Sequence, residues 1–272
     1  MITRRTFIAL AIPTALTVSA IAGSGTASAH PSTPTARRSQ AVRITSDALD
    51  MPAIVVGPVI DLTIRNDDSI ARELAVSQVV PGTTLDQVIA AATAGIDPAP
   101  FDIADPGGVS FLGAGEQVRY QRQLQPGTYV FHAFTGSHPL SSADYQIVQV
   151  TSNGRHELPE AERTIRLGDS GIALPKLTAG THRYSITNTG TTPHEVFIVG
   201  VRDPADLNRA DEIGAWLEGG QVGPPPVPLH FPGSHQTIDP GVTVILTLDL
   251  HRATTYAFVD FQTGAMTTGT TR

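Results

Sequence analysis

ITNTGTTPHEVFIVGV, residues 186–201, has a twin in IRNDDSIARELAVSQV, residues 64–79. Asn188 matches Asn66 and Glu195 matches Glu73, both at a separation of 122 residues. Each stretch reads as a strand, a polar turn and a second strand. Each then leads into a helical pattern, at 83–95 with Thr84 as cap and at 203–220 with Asp203 as cap and Pro204 in the first turn. Leu85 and Leu207 keep the same offset. Strands follow at 116–124, with Val118, Tyr120 and Leu124 on one face, and at 242–250, where Val242, Val244, Leu246, Leu248 and Leu250 alternate. TYVFHAF (128–134) and TYAFVDF (255–261) close the pattern, slightly out of step because the second copy carries a short insertion. Self-similarity of this kind predicts an all-β chain of two tandem Greek-key β-sandwiches, each with one inserted helix. The sequence boundaries are 42–152 and 153–272, after a flexible leader at 30–41. The second copy ends AMTTGTTR, with little apolar alternation, which predicts a missing closing strand and an open sheet edge.

Composition narrows the function. Hydrophobic residues make up 40% and charged residues 16%, which suits a globular chain with a sizeable core. The formal charge is -7, and 17 of the 18 basic residues are scattered arginines, Lys176 being the exception. That balance argues against nucleic acid as a partner, because phosphate binding needs clustered cations. There is no cysteine. Disulfides, thiol catalysis, iron–sulfur clusters and Cys-ligated zinc are therefore excluded.

The first 29 residues read as an export signal. Arg4 and Arg5 precede a mildly apolar stretch, as in twin-arginine leaders, and Ala27-Ser28-Ala29 forms an A-x-A cleavage site after Ala29. Cleavage would leave His30 at the mature N-terminus and no membrane span. The predicted location is extracytoplasmic, with an unknown extracellular or cell-envelope partner.

The N-x-G-x-x-x-H-E turn of Asn188 to Glu195, followed much later by a Y-x-F strand, resembles the cupredoxin-like fold. Over residues 42–272 the pattern is similar to secreted bacterial tandem cupredoxin-like proteins. The resemblance implies that His194 stands where that family places its first copper histidine. It puts Asp260 at the position of the copper cysteine. In the first copy the same places hold Arg72 and Ala133, and the last loop keeps His138. The last loop of the second copy offers Met266 and no histidine. Without a thiolate, blue-copper electron transfer is excluded on ligand chemistry.

Asp260 shares strand parity with Tyr256 and Phe258 and should point inward, where a lone carboxylate is costly. His194 is its nearest expected partner. Two outcomes are open. The pair either forms a hydrogen bond that closes the top of the sandwich or, with a loop histidine such as His235 or His230, holds a divalent metal, zinc or copper. Glu73 and Glu195 recur in both copies and read as structural carboxylates. His30 could bind copper through its ring and the terminal amine, as an oxidase would require. Trp216 follows Ile213 in a helical apolar stripe, and GPPPVPLHFPG (223–233) is a stiff extended segment. No catalytic triad, phosphate loop or H-E-x-x-H motif occurs. The expected function is an exported, copper-free binding or structural module with no cofactor and no catalytic residue. The alternatives are a metal-binding protein using His194 and Asp260, or a copper oxidase using His30.

Overall fold

The computed structural model describes residues 39–94, 102–135 and 142–272. The predicted export signal, with Arg4, Arg5 and Ala29, lies outside the described residues, as do His30 and His138.

Asn66 and Asn188 show why the twin stretches recur. The Asn66 side-chain amide donates to the carbonyls of Ile70 and Leu112, and its carbonyl accepts from Asp68 N–H. Asn188 repeats this with Thr192, Ile238 and Gly190. Both are fully buried. One side chain thus serves the turn and the end of a neighbouring strand, satisfying backbone groups that burial would otherwise strand.

The first copy contains β1 (Gln40–Ile44), β2 (Leu49–Asp50), β3 (Ile54–Val55), β4 (Val59–Asn66) and β5 (Arg72–Val79). It continues with α1 (Leu85–Thr93), β6 (Asp102–Leu112), β7 (Gln117–Gln123), β8 (Gly127–Phe134) and β9 (Tyr145–Val150). The second copy contains β10 (Arg163–Gly168), β11 (Gly171–Ala173), β12 (Gly180–Asn188) and β13 (His194–Val201). After it come α2 (Ala210–Glu218), β14 (Leu229–His230), β15 (Pro232–Ile238), β16 (Thr243–Leu250), β17 (Thr255–Asp260) and β18 (Met266–Thr270).

One sheet runs β11-β10-β12-β16-β7-β4-β1-β2 and the other β18-β17-β13-β15-β6-β5-β8-β9-β3, with β14 paired to β13. Outward from the join, each sheet repeats equivalent strands. β1, β4 and β7 answer to β10, β12 and β16, and β6, β5, β8 and β9 answer to β15, β13, β17 and β18. The fold is all-β, two β-sandwiches side by side. The copies join edge to edge through β7–β16, where Tyr120 faces Leu246, and through β6–β15, where Ser110 faces Ser234. Residues 39–272 pack as one compact unit. A single apolar core between the sheets draws on both copies: Ile60, Ile64, Tyr120 and Phe131 from the first, Ile165, Tyr184, Leu246 and Phe258 from the second.

The helices lie against the outer face of the second sheet. Thr84 and Gln87 form a reciprocal capping box on α1, worth about 1 kcal/mol. Leu85, Val88 and Ile89 pack on Val79, Val130 and Tyr145. The second predicted helix opens as a 3₁₀ turn, Pro204–Arg209, capped by Asp203, before α2. Its Ile213 and Leu217 cover Val201. This cover explains why β13 reads HEVFIVGV without alternation, since all eight residues are buried.

The missing closing strand is a correction. β18 pairs with β17 from Val259↔Met266 to Thr255↔Thr270. It is mostly exposed, with no apolar face to bury, so its β-branched threonines form an edge strand that an alternation test cannot see.

Candidate functional site

The position at the start of β5 and β13 is rebuilt differently in each copy. In the first, Arg72 is 1% exposed and its guanidinium bridges Asp68 at 3.2 Å and Asp144 at 3.1 Å. It clasps the turn before β5 to the 3₁₀ turn before β9. In the second, His194 Nδ1 lies 2.6 Å from Asp260 Oδ2, both residues being buried. His194 Nε2 lies 3.4 Å from Asp169 Oδ1. Gly190 of the N-x-G turn leaves room for this contact, because a Cβ there would sit 2.5 Å from both His194 Nε2 and Asp169 Oδ1. Asp169 is itself held by Thr191 N–H and hydroxyl, and these bonds keep its carboxyl below the usual range.

Asp260 accepts from four directions. Besides His194, Thr263 Oγ donates to Oδ2 at 2.7 Å, and the backbone N–H groups of Gln262 (3.0 Å) and Glu195 (3.3 Å) donate to Oδ1. The donor set does not fit a blue-copper centre. There is no sulfur anion, the imidazole is engaged at both nitrogens, and Met266 is 59% exposed on the edge strand. In the first copy the equivalent position holds the Arg72 guanidinium, a cation that cannot ligate a metal.

The structure brings His194 and Asp260 together but not His235. His235 is fully buried beside Tyr120, with ring centroids 5.6 Å apart, and its Nδ1 meets Gln236 O at 2.7 Å. Its burial, reinforced by the positive charge of Arg122, pushes its pKa down to about 3. Burial likewise lowers His132, stacked on Tyr145, to about 4. Both rings are neutral in the folded state while the unfolded chain takes up protons below about 6.5. Stability should therefore fall with pH from about 6.5 downward, by about 1.4 kcal/mol per pH unit for each ring, until the folded values are reached. Urea midpoints between pH 7.5 and 5 test this. His235→Gln should roughly halve the slope, and an unchanged slope would refute the assignment.

Glu73 and Glu195 are both buried, and Gln236 Nε2 donates to Glu73 across the join at 3.3 Å. Trp216 is partly buried against Phe197 and Phe231 and donates through Nε1 to Gly223 O. The proline-rich segment is tied to the helix by Arg209, which donates to Pro226 O.

Sequence reasoning missed the crevice between the copies. It is a cavity of about 270 Å³ lined by Ile70, Glu116, Trp216, Gln221, His230 and Phe231, among others. Gln221 spans it, accepting from Ala71 N–H and donating to Ala71 O like a strand partner. His230 and His251 stack at 3.7 Å with ring planes 9° apart. The signal was faint: two histidines at strand ends and a glutamate at the start of another. Among the described residues, no helix is long and apolar enough to cross a membrane.

No protein-family model and no curated protein matches the chain. Solved structures do. A multicopper oxidase is 11% identical, with 86% of this chain and 89% of that one covered, at a TM-score of 0.26. Copper nitrite reductase from Nitrosomonas europaea is 14% identical over 85% and 93% of the respective chains, at 0.25. Reduced auracyanin from Roseiflexus castenholzii is 22% identical over 42% of this chain and 98% of its own, at 0.27.

Proposed function

We propose that this chain is an exported binding module outside the cytoplasmic membrane, built from tandem domains 42–152 and 153–272. In this reading its two cupredoxin copper positions serve as structural clasps rather than redox centres. The observation that carries it is the hydrogen bonding of the pair: the two Asp260 carboxylate oxygens accept from four directions, one of them His194 Nδ1, and His194 Nε2 lies against Asp169. The Arg72 clasp supports it from the other copy. Export rests on Arg4, Arg5 and the cleavage site after Ala29.

Metal analysis of the mature, natively exported protein tests the reading. His194→Ala and Asp260→Ala should leave the amount of bound metal unchanged, and copper addition should produce no thiolate charge-transfer band. Loss of one equivalent of metal in both variants would overturn it in favour of a centre at His194 and Asp260. Copper-dependent peroxide formation that disappears in His30→Ala would instead support an oxidase at the mature N-terminus.

A further inference from the structure

Glu116, His230 and His251 meet where the two copies join, and neither clasp uses them. Glu116 immediately precedes β7, His230 ends β14, and His251 immediately follows β16. Their ligand atoms lie within 4.8 Å of one another, the one such group of three among the described residues. We propose that they form a binding site for one divalent transition-metal cation of the zinc type. This goes beyond the function proposed above and does not depend on it.

Four observations converge. First, His230 is 8% exposed, and its buried Nε2 makes no aligned hydrogen bond. Its nearest carboxylate oxygen is Glu116 Oε1, at 3.3 Å. That spacing suits the edge of a tetrahedron, about 3.3 Å for arms of about 2.05 Å. Second, the other nitrogen is anchored, as ligand histidines usually are: Nδ1 lies 2.6 Å from the Tyr256 hydroxyl. Tyr256 can donate or accept and so permits the tautomer that frees Nε2. It packs over Gly200, where a Cβ would lie 2.6 Å from its ring, so the anchor is itself fixed. Third, Glu116 contributes a carboxylate oxygen, an anionic ligand that offsets the charge of the cation. Fourth, the cavity opens on Glu116 and His230, leaving room for water at a fourth position.

His251 completes the set by a local movement. Its backbone N–H donates to the Tyr256 hydroxyl at 2.8 Å, which fixes its main chain, while its side chain is exposed. Two parallel rings cannot both direct in-plane lone pairs at one ion. Binding therefore requires the His251 ring to leave its stack on His230.

The experiment uses the full mature chain, stripped with chelator and titrated with Zn²⁺ by calorimetry and with Co²⁺ by visible absorption. One equivalent should bind, Zn²⁺ should displace Co²⁺, and Trp216, the single tryptophan at the cavity wall, should report binding by fluorescence. Glu116→Gln and His251→Ala alter partly or fully exposed side chains and should fold normally. Each should weaken Zn²⁺ binding by about tenfold or more. His194→Ala should leave it unchanged, which separates this site from the clasp. Failure to bind Zn²⁺, or equal affinity in Glu116→Gln and His251→Ala, would overturn the proposal.

Discussion

Asp260→Ala should lower the stability of the folded chain by about 3–5 kcal/mol, the range for removing one member of a buried polar or ionic pair. For a body of this size that corresponds to a fall of about 10 °C in Tm. The cause is concentrated in one side chain. His194 Nδ1 and the Glu195 N–H lose their acceptor in a buried place, and the Thr263 hydroxyl and the Gln262 N–H lose theirs at its partly exposed rim. Asp260→Asn should cost less, since its oxygen still accepts from some of these donors while its amide opposes the others. Thermal unfolding followed by circular dichroism measures both. A loss below about 1 kcal/mol for the alanine variant would show that the clasp does not hold the sandwich together.

Arg72→Met should destabilise by a similar amount, about 3–5 kcal/mol, because the buried Asp68 and Asp144 carboxylates then lose the guanidinium that bridges them. Arg72→Lys should recover only part, since an ammonium cannot present the planar fork that reaches Asp68 and Asp144 together. Combining Arg72→Met with Asp68→Asn and Asp144→Asn should restore most of the loss, as removal of a whole buried network often does. If the triple variant is no more stable than Arg72→Met alone, the cost lies in lost packing of the Arg72 side chain and not in charge.

Much of the fold was legible because its causes are local. Asn66 and Asn188 tie their own turns, Thr84 and Asp203 cap their own helical segments, and the alternation of β16 follows from one face meeting the core. The partnership of His194 with Asp260 was also legible, since a carboxylate on an inward-facing row needs a donor. β18 was missed because an exposed edge strand has no apolar pattern to display. His235 reads in the sequence as a loop histidine able to join His194 and Asp260, but its place on β15 turns its ring toward Tyr120 instead.

The amino-acid sequence alone determined that there are two copies, that each is a sandwich with a helical insertion, and that no thiolate is available to either. Only the tertiary structure decided that the copies share both sheets and enclose a crevice. Glu116, His230 and His251 sit at the ends of strands from both copies, and only the pairing of β7 with β16 and of β6 with β15 draws them together. Edge-to-edge pairing is made by backbone hydrogen bonds, which nearly any side chain permits, so it leaves little trace in the order of residues.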